Sequence, residues 1–112
     1  MKWYKNLYFE DSIEKNVHHT VKKINAGKLT PDVYVIALAS NPSNLMDIIP
    51  TWELMQPKYP KENLRIIGLS QGKQEAFLLV EKIVKDVIAK NELTIFREHY
   101  KEEDFFVEWR GR

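Results

Sequence analysis

Cysteine is absent from the 112 residues. Without it there is no disulfide framework, no thiolate metal site and no thiol nucleophile, and stability must come from packing. An excess of one charge sign is missing too: seventeen Lys and Arg stand against sixteen Asp and Glu, so bulk charge points to neither nucleic acid nor a membrane surface as partner. The longest unbroken apolar run, Val33 to Ala39, has seven residues, far short of the ~20 that a membrane helix needs. No signal-type apolar segment opens the chain, and the default expectation is a cytoplasmic protein. Internal repeats and low-complexity linkers are likewise missing.

What is present is an ordinary globular composition, 44% hydrophobic and 29% charged, in a length that suits one domain over residues 1–112. Ile13, Val17, Val21 and Ile24 recur at helical spacing and predict an amphipathic helix from Asp11 to Ala26, with Gly27 as its left-handed stop. Val33 to Ala39 has strand composition without polar alternation, as a strand covered on both faces would. Asn41 as N-cap and Pro42 at the first helical position then predict a second helix through Leu45, Ile48 and Ile49, kinked at Pro50. Leu64 to Leu69 reads as another buried strand. A third helix follows Lys73, its apolar face formed by Ala76, Phe77, Val80, Ile83, Val84, Val87 and Ile88. Leu93 to Tyr100 has the polar β character of an edge strand.

Alternating helices and strands imply βαβ units. The expected fold is a single α/β domain with a three-stranded, mainly parallel sheet flanked by three helices. Strand order 2-1-3 is preferred because the most apolar strand comes first, and order 1-2-3 stays open.

Tyr34 to Pro42, Glu53 to Pro57 and Gly68 to Gly72 before an apolar helix together resemble a group of small bacterial proteins with no assigned activity. The likeness spans most of the chain from Trp3 onward. It implies a bacterial, stand-alone domain and carries over no catalytic or binding residue.

In a parallel sheet the loops after the strands meet helix N-termini, where free N–H groups favour anions. Ser40, Asn41 and Ser43 after the first strand, with Ser70, Gly72 and Lys73 after the second, therefore form a candidate cradle for a small phosphate or carboxylate metabolite. The alternative is that Asn41 and Ser70 merely cap helices. Gly68 to Gln74 is not a P-loop: three residues, not four, separate the glycines, and Gln74 replaces the magnesium-binding hydroxyl. Neither Ser40 nor Ser70 lies in a nucleophile elbow. His18 and His19 are adjacent on a helix and point about 100° apart, so they do not readily share a metal; Asp47 and Glu53 have no visible catalytic partner, and no metal site, cofactor or catalytic set is expected.

Eight of the thirteen aromatic rings lie near the ends, within segments 1–10 and 101–112 or just before the latter. Either both ends pack over a small sheet, or the rings form an interface between two copies. Trp3, Tyr8, Phe105, Phe106 and Trp109 are the candidate interface residues, and a protein-interaction module, homodimeric in this way, is the leading expectation. A metabolite-binding protein or enzyme at the loop edge is the second.

Overall fold

In the computed structural model, which describes residues 1–41, 43–90 and 96–111, the apolar run Val33–Leu38 forms strand β2, covered on both faces as its composition requires. Its neighbours are not those expected. On one side lies β3 (Met46–Pro50), antiparallel to it, and on the other β4 (Arg65–Gln71), also antiparallel. Beyond β4 come β1 (Lys2–Phe9), parallel to it, and the two-residue β5 (Phe105–Phe106), antiparallel to β1. The sheet is thus five-stranded and mixed, ordered β3-β2-β4-β1-β5. This corrects the three-stranded, mainly parallel arrangement: only β1 and β4 run parallel.

Three local departures produce that difference. Residues 46–50 form a strand, not a helix, because Ile48 and Ile49 suit a pleated surface and antiparallel pairing with β2 is one tight connection away. Asn41 starts no helix: its Oδ1 accepts the Ser43 backbone N–H at 3.0 Å and the Ser43 hydroxyl at 2.8 Å. That local turn is what asparagine does when its amide competes with the backbone. Pro42 lies outside the described residues. The aromatic opening is a full strand whose alternation is hidden. Trp3 stands beside Ile66 and Tyr8 beside Gly68, so Tyr4 to Leu7 bulge against Ile67 alone. Residues 91–95 of the expected edge strand lie outside the described residues, and Phe96–His99 turns as a 3-10 helix, with the Arg97 guanidinium donating to the Ala39 carbonyl at 2.6 Å.

The helices hold to their apolar stripes. Helix α1 (Val17–Asn25), preceded by a 3-10 turn over Glu14–Asn16, buries Val17, Val21 and Ile24 against Trp3, Val35 and Ile66 on one sheet face. Gly27, at φ +71°, ends it in the left-handed region. Helix α3 (Lys73–Lys90) covers the other face through Ala76, Leu79, Ile83 and Val87, which leaves Phe77 and Ile88, expected inside, mostly exposed. β4 bulges at Ile67, since Ile36 pairs with Gly68 while Ala37 pairs with Ile66. Ile67 packs with the α3-side core, and a Cβ on Gly68 would lie 3.3 Å from Ile36 and 3.4 Å from Ile83. The bulge therefore turns two successive residues toward α3, and at the second a side chain would press on Ile36 and Ile83.

Candidate functional site

Antiparallel pairing separates the two loops proposed as one anion cradle. Tyr34, near the start of β2, pairs with Ser70, whereas Ala37 pairs with Ile66. Ser40, Asn41 and Ser43 therefore leave one end of the sheet, and Ser70, Gly72 and Lys73 the other, about 20 Å away at ~3.3 Å per strand residue. No single ligand of metabolite size spans them.

The second loop does hold an anion, and the chain supplies it. Because β1 and β4 are parallel, Glu10 emerges beside Ser70 just past the last paired residues, Phe9 and Leu69. The Glu10 carboxylate accepts the Ser70 hydroxyl at 2.9 Å and the Gln71 N–H at 2.8 Å. Ser70 is 0% exposed, so its hydroxyl requires a partner. Gly72, at φ +92°, donates its N–H to the Asp32 carbonyl at 2.7 Å. The Ser70, Gln71 and Gly72 donors of this loop are thus occupied from within, Lys73 not being among them. Glu10 was the residue missed from the sequence; its place beside Ser70 depends on the parallel pairing of β1.

The terminal aromatics are likewise mostly internal. Trp3 is buried and its indole N–H donates to Asn25 Oδ1 at 2.9 Å. Trp109 is buried, donates to the Lys5 carbonyl at 3.2 Å and stacks on His18. Phe105 is buried against Tyr4. Tyr8 is half-buried and donates to Asp86 Oδ2 at 2.6 Å. Burial pushes the Tyr8 hydroxyl pKa up, helped by that bond, while the same bond, then Lys90, holds the Asp86 carboxyl below its ordinary value. Trp3, Phe105 and Trp109 are corrected from interface to core, because both chain ends close over the sheet. Of the five, Phe106 alone is exposed, at 50%.

Large apolar side chains do reach the surface elsewhere, beside the edge strand β3. Helix α2 (Thr51–Leu54) is a single turn that points Thr51 and Leu54 inward. The Thr51 hydroxyl donates to the Thr30 carbonyl at 3.0 Å and accepts the Thr30 hydroxyl at 2.7 Å. With those two positions anchored, Trp52 turns outward by the ~100° per residue of a helix and is 56% exposed. On α3, Phe77 follows buried Ala76 and is equally exposed. Between them runs a groove of about 610 Å³ lined by Tyr34, Met46, Ile48, Pro50, Trp52 and Phe77, with Asp47, Glu53 and Lys73 among its polar residues. Lys73 thus belongs to this groove. Burial, then the negative charges of Glu53 and Asp47, push the nearby Tyr59 hydroxyl pKa up. Among the described residues, Asp47, Glu53 and Lys73 enter no ion pair.

Among the described residues, nothing pairs with the outer edge of β3. The Ala39 N–H donates to the Leu45 carbonyl, so in the same ladder Asp47 and Ile49 direct their backbone groups to β2 while Met46, Ile48 and Pro50 direct theirs outward. Proline suits the outward position because it has no N–H to leave unpaired.

Two further depressions flank the C-terminal segment, one beside Phe106 and Val107 and one between His18, Lys22 and Trp109. Neither borders a comparable strand edge: β5 has two residues, and Trp109 bonds to β1 beyond it. Among the described residues no group of three or more His, Asp or Glu is placed to hold a metal, and no helix is long and apolar enough to cross a membrane. Comparison with protein-family models, curated proteins and solved structures returns no match.

Proposed function

We propose that the protein is an interaction module that forms a homodimer through the surface beside β3. The observation that carries the reading is the convergence of exposed Trp52 and Phe77 on a groove of mixed apolar and charged lining, next to a strand edge with which no described residue pairs. Aromatic anchors around a partly dry groove are the usual energetic centre of protein interfaces. Open strand edges are themselves templates for pairing with another chain. Self-association thus moves from the terminal aromatics, which serve the chain's own core, to the opposite edge of the sheet. A metabolite held across Ser40, Asn41, Ser43, Ser70, Gly72 and Lys73 has no common site, and Glu10 already occupies the Ser70 end.

Sedimentation equilibrium over a concentration series tests the proposal. The expected mass rises from 13.3 kDa to twice that value. Trp52→Ala should shift the dissociation constant at least about tenfold, the scale of ~1.4 kcal/mol for one truncated anchor. A wild-type chain that stays monomeric at about 1 mM, an association weaker than ~4 kcal/mol, overturns it.

A further inference from the structure

We infer that the partner is bound strand to strand: two β3 strands pair antiparallel about a two-fold axis at Ile48, joining two five-stranded sheets into one. The inference rests on the self-association reading and specifies its geometry.

Only some registers are open to two copies. The outward-facing residues are Met46, Ile48 and Pro50, so hydrogen-bonded pairs across the new seam must match these to one another. Pairing Met46 with the partner's Ile48 sets Asp47 opposite the partner's Asp47, and like charges directly opposite are destabilising. Pairing Ile48 with the partner's Pro50 leaves Met46 beyond the seam and loses its bonds. Pairing Ile48 with the partner's Ile48 sets Met46 against the partner's Pro50. In that register the Ile48 N–H groups donate to the partner's Ile48 carbonyl, reciprocally, and the Met46 N–H groups to the partner's Pro50 carbonyl. Every outward donor of β3 is satisfied, and Asp47 lies opposite Ile49 instead of its own image.

The side chains are self-complementary in the same register. Trp52 follows one end of β3 and Leu45, 52% exposed, precedes the other. A two-fold axis at Ile48 reverses the partner strand, bringing Trp52 toward the partner's Leu45 twice over. Asp47, Glu53 and Lys73 put both charge signs on the same surface without intrachain ion pairs among the described residues. A surface carrying both signs can face a copy of itself.

The absence of native cysteine makes the register directly readable. Hydrogen-bonded antiparallel partners have Cα atoms about 5.5 Å apart, within disulfide range. Under mild oxidation Ile48→Cys should become mostly covalent dimer, whereas Met46→Cys should stay monomeric on denaturing gels, its counterpart being about 14 Å further along the strand. Mixing Met46→Cys with Pro50→Cys should yield a covalent heterodimer that neither forms alone, which keeps the test independent of how well the Ile48 variant folds. Ile48→Pro, removing an N–H that β2 does not use, should weaken the dimer at least about tenfold with the circular dichroism of the monomer unchanged. A sedimenting dimer that forms neither cross-link overturns the strand register and leaves self-association standing. A chain monomeric throughout overturns both.

Discussion

The bond set around Glu10 allows the most exacting test of how the sheet ends are built. Glu10→Ala removes the acceptor from the Ser70 hydroxyl, at 0% exposure, and from the more accessible Gln71 N–H. An orphaned buried hydroxyl costs about 1–3 kcal/mol, and hydrogen bonds to a charged group contribute about 1.5–3 kcal/mol. The expected loss for Glu10→Ala is therefore about 2–3 kcal/mol. Ser70→Ala removes one donor while Glu10 keeps Gln71 and solvent, and should cost about 1 kcal/mol. Once Glu10 is gone, however, the Ser70 hydroxyl is a liability, so adding Ser70→Ala to Glu10→Ala should cost nothing or restore stability. Urea melts of wild type, both single variants and the double variant close the cycle, with an expected coupling of about 1–2 kcal/mol. Additivity within about 0.3–0.5 kcal/mol would refute the proposed bonding. In parallel, phosphate at matched ionic strength should leave the wild-type melting temperature unchanged, because Ser70, Gln71 and Gly72 already donate within the chain.

Three further outcomes follow from the packing. Gly68→Ala places a methyl 3.3 Å from Ile36 and 3.4 Å from Ile83; overpacking of about 1–3 kcal/mol should exceed the ~0.4–1 kcal/mol gained by restricting the unfolded chain, and chemical denaturation should record a net loss. The Tyr100 hydroxyl is buried outside strict hydrogen-bond geometry, with the Tyr8 hydroxyl as the group it faces, so Tyr100→Phe should be neutral or stabilising by up to about 1 kcal/mol; a loss beyond that would show that Tyr8 or a bound water satisfies it. The Asp86 carboxyl is held low by the Tyr8 hydroxyl, then by Lys90. Its contribution to stability is therefore present above the unfolded pKa of about 3.9 and disappears as pH falls through the lower folded value. Tyr8→Phe should lie below wild type at neutral pH, with the gap narrowing under acid; a gap constant from pH 7 to pH 2 would contradict the assignment.

Local sequence was enough for the features that depend on near neighbours alone. The spacing of Val17, Val21 and Ile24 determines the buried stripe of α1, Gly27 its stop, and the apolar run from Val33 the doubly covered strand. The main body of α3 follows from its periodicity, because a helix satisfies its backbone within itself. Tertiary structure decided the rest, because a strand is completed only by a partner distant in sequence. Residues 46–50 follow a helical start signal at Asn41 and Pro42 yet carry strand-forming isoleucines, and the available edge of β2 settles the competition. Residues 2–9 lose their alternation to a bulge that exists only against β4. The anion at Ser70 and the burial of Trp3 and Trp109 depend in the same way on which strands are adjacent and in which direction they run. The composition supplied thirteen aromatic rings, but only the order β3-β2-β4-β1-β5 turned most of the terminal ones inward and left Trp52 and Phe77 outside, beside the longer of the two edge strands among the described residues.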